Sequence, residues 1–119
     1  MYRALIDWDF AADGIWIVRS PRDFAAVPAK DQRSHGNEFP EPTRHFRELL
    51  SHSLMERLKR WNERGCSLGG PNGNKFDDKD WESFYRDGRS LAEAAQSELG
   101  EQWRVLWAAN GAWHFVRFP

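Results

Sequence analysis

The sequence predicts a two-layer α+β domain, in which a four-stranded antiparallel sheet carries two helices on one face. Turn dipeptides between apolar runs occur near both ends of the chain and indicate two β-hairpins. Two segments with helical periodicity lie between them. The predicted element order is therefore ββααββ, with the two hairpins joined edge to edge because an isolated hairpin is only marginally stable. A chain of 119 residues is expected to form a single domain, 1–119.

Residues 2–19 are predicted to form the first hairpin, with Asp13-Gly14 as its two-residue turn. This turn sets Phe10 opposite Ile17, and strand alternation then divides the side chains between two faces. The face assigned to the core carries Ile6, Trp8, Phe10, Ile15 and Ile17. The opposite face carries Asp7, Asp9, Trp16 and Val18.

The two amphipathic segments in the middle of the chain are predicted to be helices. Residues 43–64, headed by a capping threonine, form the first, and Gly65 ends it. The second begins at Asp77, whose carboxylate suits free N–H groups at a helix start, and ends at Gly100. A glycine in the middle of this helix, Gly88, predicts a close approach of a neighbouring element.

Residues 102–118 are predicted to form the second hairpin around Asn110-Gly111, the strongest turn signal in the chain. The turn sets Trp107 opposite His114. The core face is predicted to carry Trp103, Val105, Trp107, His114, Val116 and Phe118. The opposite face carries Arg104, Leu106, Ala108, Trp113, Phe115 and Arg117.

No catalytic signature, cofactor motif or metal-ligand spacing is recognisable, so neither an enzyme nor a cofactor is predicted. The glycine-rich loop 66–76 lacks the Gly-Lys-Ser/Thr order of a phosphate-binding loop. Cys66 has no adjacent base that would activate it. No two histidines have the helical spacing of three or four residues that metal sites use. His114 is expected to be a buried or half-buried core residue.

Composition excludes several other classes. The net charge of −1 argues against a nucleic-acid-binding protein, and the basic residues of the first helix spread around it and alternate with glutamates. No apolar run approaches the roughly 20 residues of a membrane span. The N-terminus is interrupted by charge too early for a signal peptide. A cytoplasmic protein without a membrane partner is therefore expected.

The outer sheet face is the predicted binding surface, because it combines aromatic anchors with a charged rim. The candidate partner-binding residues are Asp7, Asp9, Trp16, Arg104, Trp113, Phe115 and Arg117. Three alternatives remain open for this face. In the first, the long, proline-rich loop 20–43, which is expected to be ordered in part, folds over the face. In the second, a partner or a second copy covers the face. In the third, the face holds a small molecule.

Two sequence patterns carry a resemblance to known proteins. One is Trp81-x-x-Phe84-x-x-x-Gly88-Arg89-x-Leu91-Ala92, which ends in Leu99-Gly100 before a strand. The other is Trp8-Asp9-Phe10 ahead of Asp13-Gly14. Together they cover about half of the chain and resemble small, uncharacterised bacterial proteins of actinobacterial type. Some such proteins are immunity proteins, and the resemblance implies a protein that neutralises a cognate toxin.

The hypothesis that follows is a non-enzymatic protein-binding module, for example an immunity or antitoxin protein that acts by covering a toxin's surface. One alternative is a small ligand-binding or enzymatic domain with its site between the sheet and loop 20–43. Its titratable candidates are Asp7, Asp9 and His114, although strand parity places His114 on the opposite face from the aspartates. The other alternative is a structural homodimer joined through the outer face.

Overall fold

The computed structural model describes residues 2–18, 33–34, 43 and 45–116. The strands are β1 (Tyr2–Ile6), β2 (Ile15–Val18), β3 (Arg33–Ser34), β4 (Trp103–Ala109) and β5 (Ala112–Phe115). The helices are α1 (His52–Gly69) and α2 (Asp78–Leu99), and short 3-10 helices cover Phe46–Glu48 and Gly73–Lys75. The predicted α+β class is confirmed. Loop 20–43 lies outside the described residues, except for β3 and Thr43.

The sheet is mixed, which corrects the prediction of an antiparallel sheet. Its strand order is β3-β2-β1-β4-β5, and the two hairpins meet through β1 and β4, which run parallel. Leu5 pairs with Leu106 in this central parallel ladder. The direction follows from the connection, because a strand that returns to the sheet after a helical crossover can lie parallel to the strand it joins.

The placement of the helices also differs from the prediction. Helix α2 packs directly on β4 and β1, whereas α1 packs mainly against α2. The contact between the helices includes the indole of Trp61, which stacks on the ring of Phe84 with centroids 4.4 Å apart. A Cβ atom on Gly88 would lie 2.7 Å from Cζ2 of Trp61. The predicted close approach at Gly88 is therefore confirmed, and its neighbour is α1.

The first hairpin has a longer connection than predicted. Ile6 pairs with Ile15, so residues 7–14 form a loop, and the prediction of a two-residue turn at Asp13-Gly14 is wrong. The predicted pairing of Phe10 with Ile17 is also wrong, because Ile17 pairs with Ala4. Phe10, assigned to the core, is 59% exposed. The loop replaces a strand here because buried groups of α1 bind its backbone, as described below.

The ends of α2 agree with the prediction, whereas those of α1 do not. Asp77 caps α2 and exchanges hydrogen bonds with Asp80 in a capping box, and Gly100 follows the helix with φ +83°. Helix α1 starts at the capping Ser51, well after Thr43, and runs through Gly65. It continues there because Gly65 is buried against the side chains of Trp8 and Phe84, where any side chain would collide.

The second hairpin is confirmed. Trp107 pairs with His114 and Ala109 with Ala112. The turn residues Asn110 and Gly111 have φ values of +52° and +76°, as a type I′ turn requires. The register places Trp103 and Val105 on the buried face, as predicted.

The sheet is buried on both faces along β1, β2 and much of β4. One face packs under the helices, where Ala4, Ile6, Ile15, Ile17, Trp103 and Val105 share a cluster with Leu54, Leu58, Trp61, Phe84 and Leu91. A second cluster on the other face contains Leu5, Trp16, Val18 and Leu106. In the part of the chain that the structure describes, neither helix has the length and apolarity needed to cross a membrane.

Candidate binding surface

The predicted outer-face residues fall into different environments. Trp16 is only 8% exposed and belongs to the second buried cluster, Trp113 is half-buried, and Phe115 is 44% exposed. The guanidinium of Arg104 lies 4.9 Å from the centroid of the Phe115 ring, in a cation–π contact. Arg117 lies outside the described residues. This face therefore presents less apolar surface than an open sheet face would.

Asp7 and Asp9 lie in the 7–14 loop and not on a strand. Each carboxylate accepts a hydrogen bond from the next backbone N–H, that of Trp8 at 2.9 Å and that of Phe10 at 2.8 Å. The indole N–H of Trp16 donates to the carbonyl of Asp7 at 3.0 Å. The two aspartates therefore have a structural role in shaping the loop, in addition to any contact with a partner.

Helix α1 holds this loop in place through a buried polar side chain. Asn62, 2% exposed, accepts from the N–H of Asp9 at 3.0 Å and donates to the carbonyls of Asp9 and Ala12 at 3.0 and 2.9 Å. A Cβ on Gly69 would collide with the indole of Trp8, so a glycine at this position leaves room for that ring. Phe10 is thus an exposed aromatic side chain on a loop that is held to α1 by the hydrogen bonds of Asn62 and by the packing of Trp8.

A groove of about 740 Å³ lies between α2 and the β4–β5 hairpin, and we call it the α2 groove. Its aromatic lining consists of Trp81, Tyr85, Trp107 and His114. His114, predicted to be buried or half-buried, is exposed and stacks on Trp107 with ring centroids 4.5 Å apart. Trp81 and Tyr85 lie with centroids 5.6 Å apart, and Trp81 also contacts Phe84 in a T-shaped arrangement. Each aromatic ring of the lining therefore contacts at least one other ring.

Sequence reasoning missed this groove because it assigned Trp107 and His114 to the covered face of the sheet. The assignment of the face was correct for Trp107, which packs against the main core cluster. Helix α2, however, packs on β4 and β1, which leaves the β5 side of that face open. The sequence shows that the aromatic residues are present, but it does not show where α2 lies across the strands of the sheet.

Charged side chains line the rim of the α2 groove, with the acidic and the basic residues at different ends. Asp78 and Glu82 lie towards the start of α2, and Arg86 and Arg89 follow towards its middle. Arg89 forms an ion pair with Glu93 at 3.2 Å, whereas Arg86 has no hydrogen-bond or ion-pair partner among the described residues. One end of the groove is therefore negative and the other positive.

A second depression, of about 320 Å³, opens at the carboxyl ends of the parallel strands β1 and β4, and we call it the strand-end crevice. Its lining includes Asp7, Asp9, Phe10 and Trp113. It shares Tyr85, Ala109 and Asn110 with the α2 groove, so the two depressions continue into each other around the Asn110-Gly111 turn. Three predicted site residues, Asp7, Asp9 and Trp113, thus meet the aromatic residues that the prediction missed. Trp16, Arg104 and Phe115 do not line either depression.

The side chains that could take part in chemistry include metal ligands and the thiol of Cys66. Within residues 2–18, 33–34, 43 and 45–116, no three His, Cys, Asp or Glu side chains lie close enough to share a metal ion. Burial raises the pKa of the Cys66 thiol, and the carboxylates of Asp9 and Glu63 raise it further. The thiol is therefore mostly protonated at neutral pH, which makes it a weak nucleophile.

No protein-family model, no curated protein and no solved structure matches this chain.

Proposed function

We propose that this protein is a non-enzymatic protein-binding module, whose partner docks over the Asn110-Gly111 turn. The α2 groove and the strand-end crevice together form the docking surface. The observation that carries the proposal is the accessible aromatic lining of the α2 groove, with arginines and carboxylates at its rim. Trp, Tyr and Arg are the residue types that contribute most binding energy at protein interfaces.

The ring contacts within the lining support this function. Trp107 projects from the hydrogen-bonded strand β4, and Trp81 projects from α2 and forms a T-shaped contact with Phe84. Side chains already fixed in the free protein lose little conformational entropy when a partner binds. Aromatic residues held in this way provide contact area at low entropic cost.

The shape and charge of the groove describe the segment that it fits. Asp78 and Arg89 are about three helical turns apart, which is roughly 16 Å along α2. About five residues of an extended chain cover that length. The fitting segment carries an apolar side chain for the aromatic lining, a basic residue near Asp78 and Glu82, and an acidic residue near Arg86.

The finer form of the proposal is an immunity or antitoxin protein that neutralises a toxin by covering its surface. The resemblance of the two tryptophan-containing patterns to bacterial proteins of this kind supports it. The continuous surface around the turn supports this form as well, because a partner that contacts both the α2 groove and the strand-end crevice is bound in one orientation. This form predicts a heteromeric complex and stoichiometric inhibition of the partner's toxicity.

The test compares three immobilised variants in affinity capture from the native host. Arg86→Glu and His114→Ala alter the groove, and Lys59→Glu, an exposed change on α1 outside the groove, is the matched control. We expect a defined protein to bind the wild type and the control and to be lost from both groove variants.

Equal capture by all variants would contradict this docking surface. A captured protein that is toxic when expressed alone, and tolerated when expressed with this chain, supports the immunity form. Light scattering at two concentrations separates a heteromeric binder from the alternative homodimer, because a self-associating chain shows a mass that rises with concentration.

A further inference from the structure

A second groove, of about 310 Å³, lies between α1 and α2 and carries an excess of positive charge. Arg57, Arg60 and Arg64 line it from α1, and we call it the arginine groove. The spacing of three and four residues places these side chains on one stripe of the helix. The prediction described the basic residues as spread around the helix, and this does not hold for the three arginines. Lys59 lies outside their stripe, and Arg47, which the prediction included in the same helix, precedes α1.

The charges of the arginine groove are compensated at one end only. Arg64 donates to a carboxylate oxygen of Asp87 at 2.6 Å and to the hydroxyl of Ser83 at 3.1 Å. Asp87 is the carboxylate that lines the groove. Arg57 and Arg60 are exposed and have no hydrogen-bond or ion-pair partner in the described ranges. Like charges three residues apart on a helix repel each other, so this pair is unfavourable for the free protein.

We propose that the arginine groove binds an acidic segment of a protein partner, whose carboxylates pair with Arg57 and Arg60. Guanidinium groups bind carboxylates through two parallel hydrogen bonds, which gives both affinity and orientation. The arginines follow a line of about 10 Å along α1, which suits a short linear segment with successive carboxylates. The lining side chains Trp61 and Leu91 give the groove an apolar base between the charges.

A polynucleotide fits this groove less well than an acidic peptide. Glu56 and Glu63 lie on the same helix among the arginines, and the whole chain has a net charge of −1. Nucleic-acid binders rely on a broad positive surface that neutralises many phosphates. The arginine groove is a different surface from the α2 groove, so either proposal can fail without the other.

The test is fluorescence anisotropy with a labelled hexaglutamate peptide at low ionic strength. We expect saturable binding that weakens as salt is raised through about 0.15 M, because screening reduces the attraction between charges. The double variant Arg57→Gln/Arg60→Gln is expected to lower the affinity at least about tenfold. The control Lys59→Gln/Lys79→Gln removes the same charge from exposed positions outside the groove and is expected to change it by less than about threefold.

The proposal is overturned by no binding at millimolar peptide, by an equal loss in the lysine control, or by tighter arginine-dependent binding of a single-stranded oligonucleotide of the same charge. Displacement of the peptide by inorganic phosphate at equal concentration would likewise reassign the groove to small anions. If circular dichroism shows that Arg57→Gln/Arg60→Gln melts at a lower temperature than the wild type, the variant Arg57→Lys/Arg60→Lys is used in its place. That variant keeps the charge, and the proposal requires that it still loses affinity because the bidentate geometry is lost.

Discussion

At the scale of single residues, the approach of the two helices depends on the absence of a side chain at Gly88. The indole of Trp61 occupies the space that a Cβ would need, and its N–H donates to the carbonyl of Phe84 at 2.9 Å. This buried hydrogen bond fixes the indole across the helix pair. Gly88 therefore determines where α1 sits on α2. The packing of Trp61 at this position offsets the unfavourable helix propensity of glycine.

Gly88→Leu is expected to lower the free energy of unfolding by about 2–4 kcal/mol, because the new side chain must displace Trp61 from a close-packed position. Urea denaturation followed by tryptophan fluorescence measures the change. Ser97→Leu adds the same side chain at an exposed position of α2 and is expected to change stability by less than about 0.5 kcal/mol. A neutral Gly88→Leu would mean that the helix contact is not packed as described.

Cys66 allows a pH-dependent prediction at the same scale. Burial, followed by the charges of Asp9 and Glu63, raises the pKa of its thiol, so less thiolate is present at a given pH than in the unfolded chain. The rate of iodoacetamide alkylation, measured against pH, is expected to rise at a higher pH in the folded protein than in concentrated urea. A midpoint at the same or a lower pH in the folded protein would contradict this environment.

At the scale of elements, the helix ends show which local signals act independently of the rest of the fold. Helix α2 begins with a capping box between Asp77 and Asp80, and ends at Gly100 with positive φ. At the start of the chain's helical region, His45 caps the 3-10 helix and Ser51 caps α1. Ser51 also donates to Glu98 of α2 at 2.9 Å, so this helix start is tied to a distant residue.

Asp77→Ala is expected to cost about 1 kcal/mol, because the amide of Asp80 loses its acceptor at the start of α2. Thermal unfolding monitored by circular dichroism measures the loss. Lys79→Ala, an exposed change in the same turn, is expected to alter stability by less than about 0.5 kcal/mol. Equal effects of the two changes would show that the cap contributes nothing beyond general charge effects.

At the scale of the whole molecule, the parallel pairing of β1 with β4 joins the two ends of the chain into one sheet. The main core cluster draws residues from both hairpins and both helices, and Gln96 of α2 binds the backbone of β4. Its side chain accepts from the N–H of Val105 and donates to the carbonyl of Trp103, both at 2.8 Å. Neither hairpin is therefore complete without the rest of the molecule.

The chain is accordingly expected to unfold in a single cooperative transition. Tryptophan fluorescence reports both buried clusters and far-UV circular dichroism reports the helices, so the two denaturation curves are expected to coincide. A peptide of residues 1–18 is expected to show no strand signal by itself. Separate midpoints, or a structured peptide, would show that the N-terminal hairpin is an independent unit.

The sequence by itself determined the features that depend on neighbouring residues. These are the α+β class, the extent of α2 between Asp77 and Gly100, and the hairpin at Asn110-Gly111. Helical periodicity, capping chemistry and the positive φ of a type I′ turn act over a few residues, so no knowledge of the remaining fold is required to read them. Asp7, Asp9 and Trp113, which the prediction names as partner-binding candidates, line the strand-end crevice, although the aspartates lie in a loop and not on the predicted strand.

Only the tertiary structure decided the features that depend on distant contacts. The 7–14 loop replaces a tight turn because Asn62, far along the chain, supplies its hydrogen bonds. The strands β1 and β4 lie far apart in the sequence and pair in parallel, which requires a crossover connection such as the one that the helices supply. The α2 groove exists because α2 packs on β4 and β1 and leaves Trp107 and His114 uncovered on one side. Helix periodicity identifies which residues share a face, but the position of that face across the sheet is set by packing between distant parts of the chain.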